Sequence, residues 1–144
     1  MRVGILFAQV GNSTVCRELA AALGEGVQAQ GHDVELINMH TDAARVIAFY
    51  DYIAVGTESV SFLGGKIPDA INQFLRQSGT VSGKRCFAFI SKKGLRKGKT
   101  LQKLMHSMES QGMYLTFSEV LTSRTHAKEV GKRLVISYSG VCSS

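Results

Sequence analysis

The chain has 144 residues, 44% of them hydrophobic and 19% charged, which predicts one globular domain spanning residues 1–144 and excludes a disordered chain. Lysine and arginine outnumber the acidic residues by 17 to 11, and this net charge of +6 favours an anionic ligand or an acidic partner. No apolar run approaches the ~18 residues that a membrane-crossing helix requires, and the first residues do not resemble a signal peptide. We therefore expect a cytoplasmic protein with no membrane partner.

The cysteines and histidines lack the spacing of metal ligands. The cysteines form no CxxC pair, and the histidines are not spaced for joint coordination with one another or with cysteine. We therefore expect small buried thiols and no metal site. The residues concerned are Cys16, Cys86, Cys142, His32, His40, His106 and His126.

The first half of the chain alternates between strand and helix patterns. Arg2–Phe7 is an apolar run that predicts a buried strand. Ser13–Gln30 has apolar residues, among them Val15, at helical spacing and is followed by Gly31, a residue that commonly ends a helix. Asp33–Asn38 predicts a second strand. Thr41–Phe49 predicts a short helix with Thr41 as its N-cap.

The second half continues this alternation. Tyr52–Val55 is nearly all apolar and predicts a third strand that is buried on both faces. A polar loop, Gly56–Lys66, leads to a predicted helix over Ile67–Gln77, with a proline in its first turn. Lys84–Ile90 predicts the fourth strand, and Ser91–Lys99 is a basic loop.

Three further elements complete the pattern. Thr100–Gln111 predicts a helix with apolar residues at i, i+3, i+4 and i+7. Met113–Val120 predicts the fifth strand, and Arg124–Leu134 predicts a last helix. Residues 135–144 have no clear pattern. Five strands alternating with five helices predict a doubly wound α/β domain, in which a parallel sheet of order 2-1-3-4-5 has helices on both faces.

In such a sheet the ligand site lies beyond the carboxyl ends of the strands, where the strand order reverses between the first and third strands. Three predicted loops reach this edge, namely Ala8–Ser13, Thr57–Lys66 and Ser91–Lys99. Each is rich in small, polar or basic residues. The first loop leads into a helix, whose free N–H groups and dipole favour a phosphate.

These loops also carry a resemblance to a known family. Gly11-Asn12-Ser13 after the first strand resembles the phosphate-binding turn of flavodoxins. Val55-Gly56-Thr57, together with Phe62-Leu63-Gly64-Gly65-Lys66-Ile67-Pro68, resembles their second flavin loop. Ile90-Ser91-Lys92-Lys93-Gly94 is similar to their third loop, and Gly131-Lys132-Arg133-Leu134 is similar to their closing helix. The resemblance covers almost the whole chain and implies a flavodoxin-like fold, non-covalent FMN as cofactor, and electron transfer.

The resemblance also implies a set of cofactor-binding residues. A first group would hold the phosphate, with Ser13 at the N-cap or first position of the helix. A second group would flank the flavin ring from the loop after the third strand, and a third group would close its other side. In that order the groups are Gln9, Gly11, Asn12 and Ser13; Thr57, Glu58, Ser59 and Phe62; and Ser91, Lys92, Lys93 and Gly94.

Glu58 has two interpretations at the mouth of this predicted site. Its carboxylate could accept hydrogen bonds from the pyrimidine edge of a flavin, or it could pair with Lys92 or Lys93. The two lysines should favour the negative charge of reduced flavin, so we expect a higher potential for the second electron than is usual in the family.

Several departures from the flavodoxin pattern support an alternative function. Ala8 and Val10 stand where hydroxyl residues are usual, the third loop has no aromatic residue, and the chain is basic rather than acidic. The alternative is a flavodoxin-fold binding module that has lost FMN and binds another anionic ligand, or a protein partner, through its basic third loop.

In an electron carrier, the basic loop would dock an acidic redox partner. An NAD(P)H-dependent flavin reductase would use the same three loops. Other activities on related folds are less well supported. A basic loop without interleaved aromatic residues does not indicate nucleic-acid binding. The acid pair of a receiver domain, the Cys-x5-Arg motif of a small phosphatase and the GxGxxG motif of a dinucleotide site are absent.

Overall fold

The computed structural model describes residues 1–8, 14–41, 50–58, 69–77, 83–91, 97–134 and 136. Within these residues, strands and helices alternate along the chain as the sequence predicts, except between the second and third strands, where residues 42–49 lie outside the described part of the chain. The elements are β1 (Arg2–Ala8), α1 (Val15–Ala29), β2 (Asp33–Asn38), β3 (Tyr52–Thr57), α2 (Asp69–Gln77), β4 (Arg85–Ser91), α3 (Lys97–Ser110), β5 (Tyr114–Leu121) and α4 (Arg124–Arg133).

The five strands form one parallel sheet in the order β2-β1-β3-β4-β5, which confirms the predicted topology. The register aligns the carboxyl ends of the central strands, because Ala8 of β1 lies opposite Thr57 of β3, and Thr57 lies opposite Ile90 of β4. The ends of β1, β3 and β4 therefore lie side by side at one edge of the sheet. The strand order reverses there, between β1 and β3, and a ligand crevice is expected at that point.

Apolar side chains on the two faces of the sheet form two separate cores. Alternate residues of β1 point to opposite faces, so that Ile5 belongs to the core beneath α1 and α4, and Leu6 belongs to the core beneath α2 and α3. Every residue of β3 is buried, as expected for a central strand covered on both sides.

The helices α1 and α4 pack closely on one face of the sheet. Gly131 of α4 lies against Leu23 and Gly26 of α1, at a distance that admits no side chain between the two backbones. At the end of α1, the amide of Gln30 donates hydrogen bonds to the carbonyl oxygens of Gly131 (2.6 Å) and Leu134 (2.9 Å). These contacts fix α1, and therefore its N-terminus, relative to the sheet.

Four strands extend beyond their predicted carboxyl ends; β1 and β5 do so by one residue each, Ala8 and Leu121, and the other two carry predicted site residues. β3 continues through Gly56 and Thr57, and β4 continues through Ser91, although we predicted loops from Gly56 and from Ser91. The reason is backbone pairing with the neighbouring strand, which does not depend on apolar character: Gly56 lies opposite Phe7 in the ladder with β1. The strands therefore carry two of the predicted site residues, Thr57 and Ser91.

Two helices also begin at other residues than predicted. The N-cap of α1 is Thr14 rather than Ser13. Val15, which we predicted on the apolar face of the helix, is 38% exposed, because it is the first residue of the helix and the neighbouring Thr14 is exposed as well. α3 begins at Lys97, three residues before the predicted start, since the exposed Gly98 and Lys99 are compatible with a solvated first turn. The second predicted helix, over residues 41–49, lies outside the described residues except for Thr41.

Candidate functional site

The carboxyl ends of β1 and β3 are joined by a side-chain hydrogen bond at the predicted site. The hydroxyl of Thr57 donates to the carbonyl oxygen of Ala8 at 2.9 Å, and both residues are fully buried. A buried hydroxyl requires such a partner, because an unpaired polar group costs about 1–3 kcal/mol. Thr57 is thus held with its side chain directed across the reversal point of the sheet.

Glu58 follows Thr57 and reaches the N-terminus of α1. Its carboxylate oxygen Oε1 accepts a hydrogen bond from the backbone N–H of Cys16, the second residue of α1, at 3.1 Å. The N-cap residue Thr14 makes no side-chain capping bond. The carboxylate of Glu58 therefore supplies, from the end of β3, the negatively charged acceptor that a helix N-terminus favours.

This position differs from the one that we predicted for Glu58, at the mouth of the site. The residue is only 1% exposed, so it lies beneath the edge of the sheet and not at its mouth. The physical reason is the contact with Cys16, 42 residues away in the chain, whose N–H group compensates part of the cost of burying the charge. The two lysines considered as its partners, Lys92 and Lys93, lie outside the described residues.

The negative charge of Glu58 also acts on the thiol of Cys16. Burial and then the nearby carboxylate raise the pKa of this thiol far above its ordinary value of 9.0. Burial, with a smaller contribution from Glu109, raises the pKa of Cys86 to about 12. The predicted burial of the thiols is confirmed for Cys16 and Cys86, whereas Cys142 lies outside the described residues.

Buried polar side chains concentrate at this edge of the sheet. Ser91 ends β4 with its side chain buried, and Thr100 is fully buried in the first turns of the helix that follows. Of the five buried polar residues within the described part of the chain, four lie at the ends of β3 and β4 or in α3 just beyond. They are Thr57, Glu58, Ser91 and Thr100.

The structure thus brings together three of the predicted site residues, Thr57, Glu58 and Ser91, at the carboxyl ends of two adjacent strands. It adds two groups that the sequence analysis missed, the amide of Cys16 and the hydroxyl of Thr100. The sequence did not indicate that Thr100 is buried, because we predicted it as the first residue of a helix, where a polar residue is typically an exposed cap. The other predicted site residues lie outside the described residues; they are Gln9, Gly11, Asn12, Ser13, Ser59, Phe62, Lys92, Lys93 and Gly94.

A separate groove of about 340 Å³ lies between β5 and α4, away from the reversal point of the sheet. It includes Phe117, which is 47% exposed, although its ring stacks on Phe87 with a centroid distance of 5.6 Å.

In the described part of the chain no group of three or more histidine, cysteine or acidic residues is placed to hold a metal ion, and no helix there is long and apolar enough to span a bilayer.

Comparison with known proteins identifies the fold. No family model and no curated protein matches the sequence, but the structure is similar to several solved flavodoxins. The flavodoxin of Streptococcus pneumoniae has a TM-score of 0.72 at 18% identity, over 93% of this chain and 97% of that one. Flavodoxin 1 of Bacillus cereus has a TM-score of 0.70 at 20% identity, over 91% and 95% of the two chains. A flavodoxin from the domain Archaea has a TM-score of 0.70 at 16% identity, over 93% and 96%. The chain therefore has the flavodoxin-like α/β fold over nearly its whole length.

Proposed function

We propose that this protein binds FMN non-covalently at the carboxyl ends of β1, β3 and β4 and transfers electrons through it. The observation that carries the proposal is the convergence at this edge: the Thr57 hydrogen bond joins β3 to β1, and the Glu58 hydrogen bond joins β3 to the N-terminus of α1. A helix N-terminus at the reversal point of a parallel sheet is a favourable place for a phosphate. The similarity to flavodoxins supports the same proposal.

The groups at this edge fit the cofactor in their chemistry. The N-terminus of α1 favours a negative charge, because the N–H of Cys16 in its first turn donates to the carboxylate of Glu58, and Thr14 makes no side-chain capping bond. The turn that precedes α1 contains Gly11, whose missing side chain permits close approach of the backbone to a phosphate. We propose that Gly11, Asn12 and Ser13 hold the phosphate in this turn, with Gln9 before them as a further cofactor-binding residue.

The flavin ring would lie between the loops that follow β3 and β4. Thr57 at the end of β3, with Glu58, Ser59 and Phe62 after it, would flank the ring from one side. Ser91 at the end of β4, with Lys92, Lys93 and Gly94 after it, would close it from the other. The bound flavin supplies the redox chemistry, and the protein sets its potential through nearby charge. In this proposal the protein is cytoplasmic and its redox partner has an acidic docking surface.

A second function is favoured by the charge of the segment between β4 and α3. Five lysines and arginines fall within residues 91–99, and α3 begins within this segment, with Gly98 and Lys99 exposed to solvent. Such a surface would attract an anionic ligand or an acidic protein even without flavin. The alternative is thus a flavodoxin-fold binding module whose ligand is not FMN.

The test is the visible absorption spectrum of the purified protein, followed by a fluorescence titration with FMN. Flavin bands, or quenching of FMN fluorescence that saturates near one FMN per chain, would support the electron carrier. Absence of both the flavin bands and the quenching would contradict the electron carrier and would favour the binding module.

If FMN binds, a second assay separates a flavin reductase from a carrier. Consumption of NADPH or NADH by the FMN-loaded protein would identify a reductase, and absence of this consumption would identify a carrier.

A further inference from the structure

A groove of about 350 Å³ between α2 and α3 has only basic residues among its titratable side chains, and we name it the basic groove. Arg76 of α2 lines one side, and Lys103 and His106 of α3 line the other; all three are exposed. The rest of the lining is neutral and polar, and it includes Ser110 and Gln111. Among the described residues no acidic side chain lines this groove, so its positive charge is not balanced locally.

A second groove of nearly the same size shows that this imbalance is not a general property of a basic chain. The groove between α1 and α4, of about 340 Å³, is lined by Glu18 and Glu25 of α1 and by Arg124 and Lys128 of α4. We name it the balanced groove, because two acids there face two bases. Like charges at neighbouring positions are destabilising, so contact with an anion would stabilise the basic groove and have little effect on the balanced one.

The positive charge continues along α3 toward the proposed flavin site. Lys99, Lys103 and His106 lie at positions i, i+4 and i+7, which places them on one face of the helix over about 10 Å. Lys99 lies in the first turn of α3, the helix that follows β4 and hence the edge proposed for FMN. A row of cations of this length does not converge on one point, so it fits a series of negative charges better than a single small anion.

We propose that the basic groove, together with Lys99, is a docking surface for an acidic segment of a partner protein. Carboxylates spaced along such a segment would face Lys99, Lys103 and Arg76, and this charge complementarity selects the partner. The lining has no phenylalanine, tyrosine or tryptophan on which the bases of a single-stranded nucleic acid would stack. The inference names a docking surface for the proposed electron carrier and rests on that function for the role of the contact, whereas binding of the acidic segment itself requires no flavin.

The test measures the binding of a fluorescein-labelled oligoglutamate peptide to the full-length protein by fluorescence anisotropy at low ionic strength. The double variant Arg76→Gln/Lys103→Gln removes two charges from the basic groove, and Arg124→Gln/Lys128→Gln removes two from the balanced groove. All four residues are exposed, so both variants should fold. We expect the first variant to bind the peptide about fivefold more weakly, the effect of two exposed ion pairs, and the second to change the affinity less than about twofold.

Weaker binding confined to the variant of the basic groove supports the inference. Equal weakening of both variants would show that binding follows net charge, and no weakening of either would place the contact elsewhere; each result would overturn the inference, as would failure of the unaltered protein to bind the peptide. Tighter binding of a single-stranded oligonucleotide than of the peptide, with the same dependence on Arg76 and Lys103, would assign the groove to nucleic acid and overturn it as well.

Fluorescence titrations of the same three proteins with FMN separate this inference from the proposed function. If none binds FMN while the variant of the basic groove alone loses affinity for the peptide, the flavin function fails and the docking surface stands. If all three bind FMN and have the same affinity for the peptide, the docking surface fails and the flavin function stands.

Discussion

Replacing Gly131 by alanine should destabilise the protein, because α1 and α4 pack with their backbones in contact at this position. A Cβ added at residue 131 would overlap the carbonyl oxygen of Leu23 and would stand 3.0 Å from both the Cα of Gly26 and the backbone nitrogen of Val27. These atoms are backbone and cannot turn aside as a flexible side chain does. The two helices would have to separate, and the buried residues of α4, such as Val130, would lose contacts with the core.

The expected size follows from two opposing effects. Overpacking of a close-packed core costs about 1–3 kcal/mol, and the upper end applies because the opposing atoms are backbone. Alanine in place of glycine within a helix returns up to about 1 kcal/mol through its higher helix propensity. The free energy of unfolding should therefore fall by about 2 kcal/mol, which lowers the melting temperature by roughly 4–10 °C for a chain of this size.

Urea unfolding followed by far-ultraviolet circular dichroism measures this change, and Gly98→Ala is the matched control. Gly98 also lies in a helix, α3, but a Cβ there has no atom within 4 Å and the position is exposed. This variant should be as stable as the unaltered protein or more stable by up to about 1 kcal/mol. If Gly131→Ala were as stable as Gly98→Ala, the backbone contact between α1 and α4 would not exist as described.

Two further predictions concern the edge of the sheet and the buried thiols. Thr57→Val should lower the free energy of unfolding by about 1–2 kcal/mol, because the buried carbonyl oxygen of Ala8 at the end of β1 loses its hydrogen-bond donor. Urea unfolding measures this change. The control is Thr125→Val at an exposed position, which should change the free energy of unfolding by less than about 0.5 kcal/mol. In a Cys142→Ser background, Cys16 and Cys86 should not react with a thiol reagent at pH 8 until the protein is unfolded, since burial raises both pKa values and that of Cys86 to about 12. The native state holds these protons where the unfolded thiols lose them, so the free energy of unfolding should also fall as the pH rises above 9; rapid reaction of both native thiols at pH 8 would contradict the burial.

The sequence by itself determined the order and type of the elements and the topology of the sheet. Apolar runs such as that of Tyr52–Val55 and helical spacing such as that of Thr100–Gln111 are local patterns, and each predicted element is confirmed where the structure describes it. Right-handed crossovers then leave few strand orders for five alternating strands, and the common doubly wound order among them, 2-1-3-4-5, is the one observed. The burial of Cys86 could likewise be predicted, because it lies within the apolar run of the fourth strand, and Cys16 is buried as well in the first turn of α1.

Only the tertiary structure decided what meets at the edge of the sheet. Glu58 follows a strand in a polar segment, a pattern typical of an exposed residue, yet its carboxylate is buried against Cys16 in a helix that begins far earlier in the chain. The extension of β3 to Thr57 and the contact of Gly131 with α1 likewise depend on neighbours distant in sequence. Periodicity reports which face of an element is apolar, but the partner of a buried charge or a glycine depends on how separate elements pack, and that information is not local.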